Sequence, residues 1–64
     1  MTVEKVLELG IVDDSTNVYI RDKDMNTLAK GNWYEDGILH YLNEQVESFT
    51  WQDDDYFYID LKEV

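Results

Sequence analysis

Residues that could bind a metal ion occur in two acidic segments, and the first resembles a calcium-binding loop only in part. Asp22, Asp24 and Asn26 match the D-x-D-x-N opening of such a loop, whose oxygen ligands converge on the cation. The sixth loop position should be glycine and the twelfth a bidentate glutamate, but this chain has Thr27 and Trp33 there. We therefore predict a plain hairpin loop.

The second segment surrounds His40, with Asp36 four residues before it and Glu44 four residues after it. On a helix this spacing places all three side chains on one face. Stable zinc sites usually draw on several His or Cys ligands, and the chain has one His and no Cys. We predict a solvated ion-pair face, with no metal ion and no cofactor.

Residues for nucleophilic catalysis are scarce. Ser15 and Ser48 lack an elbow context such as G-x-S-x-G, and there is no cysteine. A chain of 64 residues also has little room for a ligand pocket of about 300 Å³ beside its core. The sequence therefore predicts a protein that is not an enzyme.

Charge is the strongest signal in the composition, with 15 Asp and Glu against 5 Lys and Arg, a net charge of −10. Direct binding to nucleic acid needs a positively charged surface, and an anionic membrane would repel this negatively charged chain. This predicts a basic protein as partner, with no direct nucleic-acid or membrane binding. The simpler interpretation is that acidity only keeps a small protein soluble.

Length and composition predict one domain, residues 1–64, in the cytoplasm. The start of the chain lacks a basic segment followed by an apolar one, so no secretory signal is expected. Apolar runs are too short for a membrane span. Without cysteine, disulfides cannot stabilise the fold.

Apolar periodicity predicts three strands in the first half of the chain. In residues 2–12, Leu7, Leu9 and Ile11 alternate with other residues as in a half-buried strand, although Val3, Val6 and Leu7 also fit a helix. We favour the strand and leave the helix as the alternative. The next two strands are predicted at Val18–Arg21 and Thr27–Lys30.

A helix and a hairpin are predicted in the second half. Asn32 and Glu35 approximate a capping box before an apolar helical arc that extends to Val46. Alternating apolar residues then flank Asp53–Asp55, which indicates a β-hairpin. The order β-β-β-α-β-β predicts an α+β fold, an antiparallel sheet of four to five strands packed on one helix. The expected core contains Trp51, Phe57, Ile59, Ile38 and Leu42.

Two sets of residues are candidates for protein binding. Tyr19, Tyr56 and Tyr58 should point away from the helix, as a protein-binding face or as ordinary cross-strand aromatic pairs. The acidic candidates are Asp36, Glu44 and Glu47 on the helix side and Asp53, Asp54 and Asp55 at the hairpin tip.

The stretch NWYEDGILHYLNEQVESFTWQDDDYFYIDL, from Asn32 to Leu61, resembles the small acidic proteins of bacteriophages and mobile elements of Gram-positive bacteria. The resemblance lies in size, charge and the aromatic hairpin, and no site residues can be transferred from it. It implies an accessory protein that binds a host or viral protein, in many cases by mimicking the charge of nucleic acid.

We therefore expect a non-enzymatic acidic protein-binding module whose partner is a basic, nucleic-acid-binding protein. The alternative is a self-associating structural domain, a homodimer formed through the tyrosine face or an unpaired sheet edge.

Overall fold

Four strands form one mixed sheet in the computed structural model, which describes residues 1–62. The elements in chain order are α1 (Val3–Glu8), β1 (Asn17–Arg21), β2 (Thr27–Gly31), α2 (Asp36–Leu39), β3 (Val46–Trp51) and β4 (Tyr56–Leu61). The spatial order is β2-β1-β4-β3, in which two antiparallel hairpins meet through parallel pairing of β1 with β4. The α+β class is confirmed, but the sheet is not antiparallel throughout and there is no fifth strand among the described residues.

The first element is a helix, so the favoured strand in residues 2–12 was wrong. Thr2 caps α1 by accepting a hydrogen bond from the Lys5 N–H at 3.3 Å. Val3 and Val6, one turn apart, are fully buried. Gly10, just after the C-cap, has φ +77°, the left-handed conformation that commonly ends a helix.

The second helix is much shorter than the apolar arc indicated. It begins after Glu35, whose carboxylate accepts a hydrogen bond from the Asn32 N–H at 2.6 Å, one half of the expected capping box. Beyond α2 the chain continues in turns. The carbonyls of Leu42 and Glu44 accept hydrogen bonds from the N–H groups that open α1, at 3.0 and 3.1 Å. These carbonyls thus tie the segment to α1.

The core lies between the two helices and the central strands. It is made of eight almost fully buried side chains: Val3, Val6, Val18, Ile20, Ile38, Phe57, Ile59 and Leu61. Leu42 packs against this cluster while remaining partly exposed. No helix within residues 1–62 has both the length and the apolar character needed to cross a membrane.

Trp51 is the wrong member of the expected core, since it is 40% exposed. Its ring lies 4.9 Å from that of Phe57, on the core side of the sheet. However, β3 is an edge strand in which every residue from 47 to 51 is exposed. Trp51 therefore covers the edge of the core.

Candidate protein-binding surfaces

Three tyrosines form a cluster, the tyrosine face, on the side of the sheet opposite the core. Tyr19 and Tyr58 are paired across the parallel strands, with ring centroids 5.2 Å apart and planes at 77°. Tyr56 packs edge-on against Tyr19 at 5.8 Å and is the most exposed of the three, at 38%. The cluster combines the expected cross-strand pairing with accessible aromatic surface.

The tyrosine face continues into an ion pair. Arg21 donates two hydrogen bonds to the Asp60 carboxylate, at 2.6 and 3.0 Å, and its guanidinium lies 4.3 Å from the Tyr58 ring centre. Hydrogen bonding to Asp60 raises the pKa of Arg21. Both side chains are about one-sixth exposed, at 17% and 18%. The guanidinium therefore lies between a carboxylate and an aromatic ring, and both contacts favour its positive charge.

The hairpin tip, Asp53–Asp55, is exposed and adjoins the tyrosine face at Tyr56. The Asp53 carboxylate accepts hydrogen bonds from the N–H groups of Asp55 and Tyr56, at 2.8 and 3.2 Å. The Asp55 carbonyl accepts one from the Asn17 N–H at 2.8 Å. The turn therefore places three consecutive acidic residues next to Tyr56, and it holds the carboxylate of Asp53 by hydrogen bonds.

The acidic candidates assigned to the helix side lie in three different segments of the chain. Asp36 is the first residue of α2, Glu44 lies in the turns after it, and Glu47 is in β3. The expected helical face of Asp36, His40 and Glu44 does not form, because α2 ends at Leu39. No cluster of three His, Asp or Glu side chains arranged to hold a metal ion occurs within residues 1–62.

The calcium-like segment is a loop closed by its own carboxylate. Asp22 accepts hydrogen bonds from the N–H groups of Asp24 and Asn26, at 2.8 and 2.9 Å. The bond from Asn26 is the main reason that the pKa of Asp22 is lowered. The oxygen expected to face a cation thus faces the backbone, as in an ordinary Asx turn.

Few of the acidic side chains in residues 1–62 are paired with a cation. The described residues contain every acidic side chain except Glu63, and among them only Asp60 forms a salt bridge. The four lysines are all exposed. The surface therefore presents strong net negative potential.

An open groove of about 400 Å³, here called the acidic groove, was missed in the sequence. It contradicts the expectation that so short a chain has no room for a pocket of ligand size. Apolar side chains from four segments line it, with three carboxylates beside them. The lining residues are Leu7, Val12, Trp33, Leu39, Leu42, Glu4, Glu8 and Asp14.

Hydrogen bonds between two loops shape one end of the acidic groove. The Trp33 indole N–H donates to Asp14 at 2.8 Å, and the Asn32 amide donates to the Asp14 carbonyl at 2.7 Å. The neighbouring Asp13 carboxylate accepts hydrogen bonds from the Ser15 and Thr16 hydroxyls, at 2.8 and 3.0 Å. The Ser15 hydroxyl contributes most to lowering the pKa of Asp13.

The chain matches no protein-family model, and its comparison with curated proteins and with solved structures gives no significant match.

Proposed function

We propose that this protein is a non-enzymatic acidic module that acts in the cytoplasm by binding a basic protein. The partner we infer is itself a nucleic-acid-binding protein, which the module engages by mimicking the charge of nucleic acid. The resemblance to small acidic phage and mobile-element proteins implies the same mode of action.

The observation that supports this proposal is the density of unneutralised charge. The molecule is 27 Å long, and duplex DNA of that length has about 16 negative charges, one per ~1.7 Å. The net charge of −10 on this body is a little over half of that number. A cation-rich surface built for DNA would therefore attract the module over a similar length.

The hairpin tip and the tyrosine face supply the contact in this proposal. Charge accelerates encounter, whereas buried aromatic side chains slow dissociation. Asp55 directly precedes Tyr56, so the hairpin tip adjoins one end of the tyrosine face. A partner can contact them together.

The test is competition. A pull-down from the native host, washed at low and then high salt, identifies candidate partners. Each candidate is then purified and bound to the nucleic acid that it recognises. We expect the module to displace the nucleic acid and the triple variant Asp53→Asn/Asp54→Asn/Asp55→Asn to displace it less well. Asparagine keeps the oxygen that accepts the turn hydrogen bonds. Simultaneous binding of module and nucleic acid would contradict charge mimicry.

Self-association is the second candidate, because β3 is an exposed edge strand. Phe49 and Trp51 on this strand are 36% and 40% exposed. None of the strands β1 to β4 pairs with the outer backbone edge of β3, which could therefore pair with another molecule. A dimer held by apolar area would persist at high salt, whereas charge-driven partner binding would weaken. Sedimentation analysis at low and high salt distinguishes the two.

A further inference from the structure

We propose that the acidic groove is a docking site for a basic amphipathic helix of a partner protein. This interaction uses the helical side of the molecule, and it does not depend on the hairpin tip or the tyrosine face.

The apolar lining of the groove is accessible. Leu7, Val12 and Leu42 are only partly buried, while Leu39 and Trp33 are 38% and 39% exposed. The volume of about 400 Å³ lies within the ~300–1,000 Å³ typical of ligand sites. Burial of these side chains against an apolar helix face would provide the main binding energy.

The carboxylates specify a basic occupant. Glu4 and Glu8 are four residues apart on α1, which places their Cβ atoms about 5–6 Å apart on one helix face. A partner helix repeats its side chains at the same interval, so two Lys or Arg residues four apart match this pair. Asp14 adds a third carboxylate at the groove. None of the three forms a salt bridge within residues 1–62.

The charge of the groove disfavours a second copy of this chain as the occupant. Each copy has a net charge of −10, and apposition of two such surfaces would bring like charges together.

The end of the groove at Trp33 is fixed before binding, by the hydrogen bonds of Asp14. A preformed site loses little entropy when it binds.

The test uses a synthetic Leu/Lys amphipathic peptide of about 15 residues, long enough to form a helix. Its titration is followed by NMR through the indole N–H signals of the two tryptophans, which are assigned with Trp51→Phe. A peptide of the same composition in non-amphipathic order is the control ligand. We expect the amphipathic peptide to shift the Trp33 signal and to leave the Trp51 signal almost unchanged.

Two exposed-site variants separate charge from apolar contact. Glu4→Gln/Glu8→Gln should weaken binding about fivefold or more at low salt, because two exposed charge pairs are lost. Leu39→Asn should weaken it at both low and high salt. The matched control, Asp53→Asn/Asp54→Asn, removes the same charge at a distance and should have little effect. Circular dichroism confirms that each variant is folded.

Three results would overturn the proposal: no binding of the amphipathic peptide, equal binding of the control peptide, or equal weakening by the groove and tip double variants. Each of these leaves the proposed function standing, because nucleic-acid competition at the hairpin tip is measured separately.

Discussion

At the residue scale, two loop carboxylates stabilise turns, and one of them, Asp22, belongs to the segment that resembled the opening of a calcium-binding loop. Asp13 accepts hydrogen bonds from Ser15 and Thr16, and Asp22 accepts them from Asp24 and Asn26. The turn-forming composition of both loops could be recognised in the sequence. The role of Asp14 could not be predicted, because its partner Trp33 is distant in sequence.

We expect Ser15→Ala to raise the pKa of Asp13 toward its ordinary value, because the Ser15 hydroxyl is the main cause of the lowering. Asp13 has the lower pKa in the folded state, so it stabilises the fold above its unfolded pKa of about 3.9. That contribution is lost as the pH falls through the folded-state pKa. NMR titration of the Asp13 carboxyl in both proteins measures the shift, with Asp22 as the internal control. An unchanged pKa would remove Ser15 as the cause.

The Arg21–Asp60 pair gives a second residue-scale expectation. Asp60→Asn leaves the partly buried guanidinium without its counter-charge and should lower the free energy of unfolding by about 1–3 kcal/mol. Asp54→Asn removes the same charge from the solvated tip and should be neutral or slightly stabilising. Urea denaturation measures both variants. Equal effects would mean that the ion pair contributes nothing beyond net charge.

At the element scale, the positions of the strands were predicted better from the sequence than those of the helices. Alternation located β1 to β4 to within a few residues. The pattern is clearest in the central strands β1 and β4, where every second residue is buried. The first segment satisfied two periods at once, and only its ends, Thr2 and Gly10, mark it as a helix. Parallel pairing of β1 with β4 and the acidic groove arise from segments far apart in sequence. No local pattern contains either feature.

The edge position of β3 reduces the expected importance of Trp51. Phe57→Ala removes a fully buried ring and should cost about 3–5 kcal/mol, much of the stability of a small domain. Trp51→Ala removes a ring that is 40% exposed and should cost clearly less, about half as much or below. Thermal and urea unfolding of the two variants give the comparison. A larger loss for Trp51→Ala would mean that the Trp51 ring is buried in the core and does not merely cover its edge.

At the scale of the whole molecule, the net charge of −10 is spread over a body with a radius of gyration of 10.2 Å. Repulsion among exposed carboxylates opposes the compact state. Between about pH 8 and pH 5.5 this repulsion should decrease slightly, because proton uptake lowers the net negative charge. The turn carboxylates Asp13 and Asp22 stay ionised over this range, since their pKa values are lowered. We therefore expect stability at about pH 5.5 to equal or exceed that at pH 8. Thermal melts that show a steady loss over this range would contradict the repulsion argument.

The central claim is that the negative charge is the working surface of a protein-binding module. Its most direct test is the association rate constant for the purified partner, measured at low and high salt for the wild type and for Asp53→Asn/Asp54→Asn/Asp55→Asn. We expect wild-type association to slow steeply with salt, and the triple variant to associate more slowly at low salt with little change in dissociation. Tyr56→Ala should instead speed dissociation. Association that is independent of salt and unchanged in the triple variant would contradict the claim and would leave the acidity as a means of solubility.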